Sequence, residues 1–218
     1  MAGAVKVFFL VISALFPIVD PLSGSPIFLA LTRDISPAMR RTLSQRVAWN
    51  SLALMIGSYF IGSHVLNFFG VSLPVVQVGG GLVVSSMGWG MLVDKEEVHD
   101  VTRENGQSPD DFNRAFYPLT LPLTVGPGSI SVAVTLGANS THDYGIHIAV
   151  ILAAVLAMFL IAVSIFLCYG FADRLARAFG KNAMIVIVRL SSFLLLCIGV
   201  QIMWNGISAL LLSVHRQF

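Results

Sequence analysis

Charge is what this sequence has least of. Of 218 residues, 13 are Lys or Arg and 11 are Asp or Glu, 11% in all, where a soluble domain carries about a quarter. A water-soluble globule of this size could not cover its surface with so few ionised groups. Hydrophobic residues make up 56% of the chain, and the mean hydropathy is +0.84. The near balance of acids and bases provides no basic field, which excludes nucleic-acid binding as a main activity. Cysteine is almost missing. Cys168 and Cys197 both lie inside long apolar runs and read as packed or lipid-facing thiols, not a disulfide or a metal pair. Also missing are H-E-x-x-H, C-x-x-C, P-loop and G-x-G-x-x-G patterns and the G-x-S-x-G nucleophile elbow. Aspartyl intramembrane proteolysis needs two membrane-embedded acids, and the apolar runs hold only Asp20. Neither an enzyme nor a resident cofactor or metal is expected.

What remains is a polytopic membrane protein. A bilayer core needs about 20 mostly apolar residues per helix, and six stretches qualify: Val5–Leu31, Val47–Phe69, Val71–Val93, Phe116–Ala138, Gly145–Phe171 and Ala183–Val214. The polar stretch Asp94–Arg114 holds seven of the eleven acids and reads as a solvated loop. The expected organisation is one all-α membrane domain over residues 1–218. Residues 1–93 and 115–218 would be its two three-helix halves, joined by the loop 94–114. With six spans, eleven basic residues fall on one side, against Lys6 and Arg216 on the other. The positive-inside rule then puts those eleven in the cytoplasm and both termini in the periplasm. The first apolar run extends past a signal-peptide core, contains Pro17, Asp20 and Pro21, and has no A-x-A site, so it is expected to be retained.

The two halves share a motif. Pro17, Pro21 and Pro26 recur as Pro118, Pro122 and Pro127 at one offset of 101 residues, in a chain with nine prolines. Leu22 and Ser23 answer to Leu123 and Thr124, and an aromatic precedes each run (Phe16, Tyr117). Gly81 and Gly88 are spaced like Gly199 and Gly206. Because each half has three spans, the second must start on the opposite side of the membrane from the first. That is an inverted-topology repeat, a design shared by many secondary transporters.

Three prolines within ten residues remove several helical donors at once. Proline is favoured at the first helical position, with Ser, Asp or Gly as the cap before it. Ser25-Pro26 and Gly126-Pro127 offer such pairs at equivalent places, with Asp20-Pro21 an additional one, so helices 1 and 4 are expected to break and restart there. Each restart presents free N–H groups and a positive dipole end. Two of them could hold a carboxylate without a membrane-embedded Arg. Freed carbonyls and the Asp20 carboxylate could receive an ammonium or a cation, a combination suited to a small zwitterion. Gly24, Gly126 and Gly128 would let backbone approach it closely. The expected substrate site therefore comprises Asp20, Pro21, Ser23, Gly24, Ser25 and Pro26 from the first break, with Thr124, Gly126, Pro127, Gly128 and Ser129 from the second. Asp20 is a candidate for proton or sodium coupling and equally a helix cap, and the two roles are compatible. Gln77, Gln201 and Asn205 on the third span of each half either line the cavity or hydrogen-bond between helices.

At these repeats the sequence resembles the MarC family of bacterial inner-membrane proteins. The likeness runs from the first span to the stretch Gly199-Val200-Gln201-Ile202-Met203-Trp204-Asn205-Gly206-Ile207. The second-half motif, Pro118 to Ile130, follows the family pattern almost throughout. The first-half motif of the family reads Asp/Asn-Pro-x-Gly-Asn-x-Pro-x-Phe. Asp20, Pro21, Pro26 and Phe28 match it, whereas Ser23 stands for Gly, Gly24 for Asn and Ser25 for an apolar residue. The resemblance implies a bacterial inner (plasma) membrane protein. Some similar members transport small neutral amino acids such as glycine and alanine, and the family lies near the six-span LysE-type exporters. The expected function is a secondary transporter or exporter of small neutral amino acids or similar metabolites, either coupled to a gradient, with proton and sodium as the candidates, or passive. Its partners are the lipid bilayer and a small-molecule substrate, with no nucleic acid; oligomeric state is left open. The alternative is a non-transporting accessory protein, associated with stress or antibiotic resistance, that binds a partner or a lipid.

Overall fold

The computed structural model describes residues 2–32, 35–93, 115–117, 119–121, 123–144 and 148–215. The expected loop 94–114 and the motif residues Pro118 and Pro122 lie outside them. Every regular element among the described residues is an α-helix: α1 (Ala2–Val19), α2 (Pro21–Leu31), α3 (Pro37–Phe68), α4 (Leu73–Val93), α5 (Pro127–Tyr144), α6 (Ile148–Gly170) and α7 (Ala172–His215). Inside α7, Gly180 takes φ 70° and ψ 169° and joins two helical stretches across a kink. A tight turn connects α3 to α4 at Gly70, whose φ of 68° favours glycine.

Five stretches among these are long and apolar enough to cross a bilayer: Gly3–Leu29, Pro37–Phe68, Leu73–Val93, Ile148–Gly170 and Ile185–Ser213. The expected fourth span, Phe116–Ala138, is not one of them. Residues 119–121 and 123–125 run in turns and a bend, and helix begins only at Pro127. Proline and threonine in the lead-in, with Ser129, Ser131 and Thr135 in the helix itself, leave no continuous apolar run there. The second span also differs, starting at Pro37 instead of near Val47. Ser36 caps it, its side chain accepting from the Met39 N–H, and proline occupies the first helical position. Arg40, Arg41 and Arg46, expected in a loop, are therefore helical.

The strong packing runs between the chain's two halves. Helix α1 lies on α6 and α5, α3 on α5 and α6, α4 on α7 and α5, and α2 on α7 and α6. The buried core follows these contacts, from Val7, Val11 and Leu15 of α1 through Val47, Met55 and Tyr59 of α3 to Met158, Ile161 and Ile165 of α6. Trp49, Trp89 and Trp204 all face outward, as amphipathic rings at a lipid boundary do.

Helices α4 and α7 run antiparallel along a seam of glycines. A Cβ on Gly81 would lie 2.5 Å from the Met203 N and 2.6 Å from the Gly199 O. One on Gly88 would meet Leu196 N at 2.6 Å, and one on Gly206 would meet Pro74 O at 2.6 Å. Without a bilayer-side hydrophobic drive, such backbone approach is how small residues hold membrane helices together.

Candidate functional site

The first break is centred on Asp20. Its backbone adopts a left-handed conformation, φ 38° and ψ 66°, the one non-glycine residue with positive φ among those described. Asp is among the few residues that accept this geometry, because its short side chain can bond locally. The N–H of Asp20 still closes α1 on the Phe16 O at 2.9 Å. Its carboxylate then caps α2 by accepting from the Ser23 N–H at 3.3 Å. Pro21, at the first helical position, has no N–H to leave unpaired.

The helix restarts here and not at Ser25-Pro26, which corrects the sequence expectation. Pro26 lies inside α2 and cannot donate to the Leu22 carbonyl. The Ser25 hydroxyl donates to that carbonyl instead, at 2.9 Å, so the helix passes through the proline. In the second half the restart is at Gly126-Pro127, as expected. The two restarts are thus five residues out of step with the 101-residue offset of the prolines.

Threonine performs the same service at the second break. Thr120 Oγ1 donates to the Ala115 O at 2.6 Å and Thr124 Oγ1 to the Leu119 O at 2.7 Å. The Ala115 O also accepts from the Thr120 N–H at 3.1 Å, so the hydroxyls bond the carbonyls of an irregular turn alongside its backbone donors. Helix α5 then opens with the Ile130 N–H on the Gly126 O at 3.1 Å, leaving the Gly128 and Ser129 N–H groups of its first turn without an intrahelical acceptor.

Both breaks meet on Tyr169, a residue with no special mark in the sequence. Its side chain is wholly buried. The phenol oxygen lies 3.1 Å from Thr124 Oγ1, and a Cβ on Gly24 would lie 2.4 Å from it. The ring stacks on Phe28 of α2, with centroids 4.6 Å apart and planes at 17°. The single hydrogen of Thr124 goes to Leu119, so the phenol is the donor in its contact with Thr124 and its oxygen is left to accept. Asp20 lies within electrostatic reach of both Tyr169 and Cys168. Beside this cluster Ser23 is 1% exposed, and its hydroxyl has no hydrogen-bond partner among the described residues. A buried orphan of this kind calls for an explanation. The signal available in sequence was thin: Tyr169 is simply the one tyrosine in the Gly145–Phe171 run.

A small cavity adjoins the second break, lined by Thr124, Gly126, Gly128 and Ser129 together with Ile18 of α1, Val84 of α4 and Leu195 of α7. It has ≈ 10 Å³ of room, about one water molecule. Among the expected site residues, Asp20, Ser23, Gly24 and Thr124 converge near Tyr169, and Thr124, Gly126, Gly128 and Ser129 line the cavity. Pro21, Ser25 and Pro26 shape α2, and Pro127 starts α5 with its ring exposed. Gln77 is half-buried on α4 and does not line the cavity. Gln201 and Asn205 are exposed on α7 and bond to one another, the Gln201 Nε2 donating to Asn205 Oδ1 at 2.9 Å. The structure does not bring these three to the breaks.

A second network ties the far end of α2 to two other helices. Arg40 is 7% exposed. Its guanidinium donates to Thr32 Oγ1 at 3.0 Å and to the Thr32 O at 2.7 Å, and it pairs with Asp173 at the start of α7. Thr32 in turn donates to the Phe28 O at 2.6 Å. A continuous path therefore runs from Thr124 through Tyr169, Phe28, Thr32 and Arg40 to Asp173. In the sequence Arg40 stands out only as one of the basic residues that assign topology.

Comparison with known proteins agrees with this architecture. A family described as MarC family integral membrane protein matches residues 5–211. The inner membrane protein MarC of Citrobacter koseri is 32% identical over 208 residues, covering 92% of this chain and 94% of that one. The proteins of the same name from Salmonella typhimurium and from Escherichia coli O1:K1 are each 31% identical, with the same coverage. No solved structure matches.

Proposed function

Since this chain belongs to the MarC family of integral membrane proteins, we propose that it is an inner-membrane secondary transporter or exporter of small neutral amino acids or similar small metabolites. The observation that carries the reading is the meeting of two helix breaks, about a hundred residues apart in sequence, on the buried phenol of Tyr169. Unpaired N–H groups at the start of α5 suit a carboxylate. The Asp20 carboxylate and the Tyr169 oxygen suit an ammonium, and the Ser23 hydroxyl is a buried group waiting for a partner. Donors and acceptors of a zwitterion are thus both provided, with Asp20 the one charged side chain among the described residues of the two breaks.

The reading includes two inverted three-helix halves. Its support is a symmetry in the contacts of α4 and α7. Shifting α4 residues by 118 maps Gly81 onto Gly199 and Gly88 onto Gly206. Under that exchange the contact of Gly206 with Pro74 becomes that of Gly88 with Ser192, and the contact of Gly81 with Met203 becomes that of Gly199 with Ser85. All four contacts occur. Exchanging the two halves, with the restarted helices α2 and α5 as counterparts, likewise turns the packing of α2 on α7 into that of α5 on α4.

With room for about one water, the site is closed to an amino acid in this conformation, so transport requires the breaks to part. The Arg40–Asp173 pair holds α2, α3 and α7 together at the basic end, and its release is the natural step for opening towards the cytoplasm. On the positive-inside rule both termini face the periplasm.

Reconstitution tests the substrate claim. Proteoliposomes offered a panel of labelled small neutral amino acids, with and without proton or sodium gradients, should show saturable flux for at least one. Absence of saturable flux across the panel ends the claim. Asp20→Asn keeps a side-chain acceptor and tolerance of left-handed backbone, so folded protein is expected with coupling or flux abolished. Unchanged flux in that variant reduces Asp20 to a cap.

A further inference from the structure

A groove of ≈ 170 Å³ opens on the outer surface between α3 and α6, away from the helix breaks. Gln45, Ala48, Trp49 and Leu52 form one wall; Phe159, Ala162, Val163 and Phe166 form the other. Each wall extends about 10 Å along its helix. The lining has a direction. It is aliphatic and aromatic at the Leu52–Phe159 end and reaches Gln45 and Phe166 at the other. Just past Phe166, the Arg41 guanidinium sits 5.9 Å from that ring's centroid and 5.8 Å from the Phe171 centroid. Arg174 lies over the same Phe171 ring at 5.4 Å. Neither Arg41 nor Arg174 makes a side-chain hydrogen bond or ion pair among the described residues. Asp173, the acid next to Arg174, is engaged by Arg40.

Two guanidiniums stacked on one ring, with their N–H donors unused, form an anion-binding pair. The aromatic contacts hold them in place without consuming their charge. Below them runs an apolar slot parallel to the membrane-crossing helices, flanked by the outward-facing Trp49. We infer that this groove is a binding site for an anionic phospholipid, its phosphate on Arg41 and Arg174 and part of one acyl chain between Trp49, Phe159 and Phe166. The occupant must be an amphiphile because the polarity changes along the slot, and its head must be anionic because the polar end carries two arginines and no free acid among the described residues. Basic pockets between membrane helices are the general form of such sites. The inference does not depend on the transport reading.

The chain has three tryptophans, which makes the site directly observable. A Trp89→Phe/Trp204→Phe variant reports from Trp49 alone. Reconstituted in phosphatidylcholine, it is titrated with a minor fraction of acyl-brominated phosphatidylglycerol, or with equally brominated phosphatidylcholine. Preferential quenching of Trp49 by the anionic lipid is expected, with a relative affinity about fivefold per arginine. Arg41→Gln/Arg174→Gln should bring the two lipids to parity while circular dichroism and solubilised yield stay unchanged. Equal quenching by both lipids in the parent, or a preference that survives both glutamines, overturns the site. Displacement of the brominated lipid by excess inorganic phosphate also overturns it, because the anion would then bind from solution without the chain. If the double glutamine variant does not fold, Arg41→Lys and Arg174→Lys serve instead. They keep the charge and lose the bidentate geometry; a weakened preference is the supporting result, and an unchanged one overturns the site.

Discussion

A methyl group at position 24 would collide with the phenol of Tyr169, and much of the candidate site depends on that contact. Glycine here leaves room for a hydroxyl carried on another helix. Gly24→Ala is expected to cost about 1–3 kcal/mol by overpacking, despite alanine's better helix propensity. Tyr169→Phe loses one hydrogen bond, about 1 kcal/mol. In the double variant the new Cβ faces ring carbons 3.3 Å away in place of the hydroxyl at 2.4 Å. The two costs should therefore sum to less than their separate values by at least ~1 kcal/mol. Denaturant unfolding of all four proteins in detergent measures the cycle, and strict additivity would show that the contact carries no energetic weight. Asp20 was legible in sequence as the lone acid of an apolar span; Tyr169 was not. Nothing in linear order says which of many aromatics a break will face.

Helices in this molecule are held by backbone approach and, among the described residues, by one buried cation, Arg40. Gly81→Ala puts a methyl 2.5–2.6 Å from backbone atoms of α7, which cannot move aside as a side chain would. Separation of α4 from α7 and a loss of about 3 kcal/mol are expected. Gly79→Ala meets nothing within 4 Å and should be neutral, or stabilising by up to ~1 kcal/mol. Thermal unfolding of the pair distinguishes the seam from a general preference for glycine; equal shifts would contradict it. At the basic end, Arg40→Met leaves the buried Thr32 carbonyl without its guanidinium donor, while the Asp173 carboxylate turns to solvent. A cost of about 1–3 kcal/mol is expected, with faster amide exchange in α2. Asp173 has a side chain 43% exposed, so Asp173→Asn leaves Arg40 its bonds to Thr32 and should cost about 1 kcal/mol or less. A larger effect for Asp173→Asn than for Arg40→Met would refute this division.

For the molecule as a whole, orientation is the property that basic residues dictate most directly. Cysteines introduced at Met39 and Phe69, both exposed at opposite ends of α3, report it in a background with Cys168 and Cys197 replaced. Membrane-impermeant maleimide should label Phe69→Cys in intact cells, and Met39→Cys only after permeabilisation. The reverse pattern would invert the topology and with it the side on which Arg40 and Asp173 open. The interleaving of the halves also belongs to this scale. Helix α1 packs on α6 and α5 and α4 on α7, all across the sequence midpoint, so neither half has a core of its own. Hydropathy, which scores each span alone, contains no term for that arrangement.

Sequence by itself determined what depends on solvent and on local chemistry. Scarce charge and long apolar runs require a helical membrane protein, because only helices satisfy every backbone group within a single segment in lipid. Proline with a capping residue requires the helix to break somewhere near 20 and near 126. Tertiary structure decided what depends on competition among partners. Pro26 is carried through a helix because the Ser25 hydroxyl replaces its missing donor. The break falls at Asp20 because its side chain caps the start of α2. Gln201 and Asn205 satisfy each other on an exposed face, away from the breaks, while a tyrosine from α6 joins the two breaks instead. Each outcome turns on which group reaches a carbonyl, a hydroxyl or a gap first in three dimensions, and spacing along the chain does not encode that.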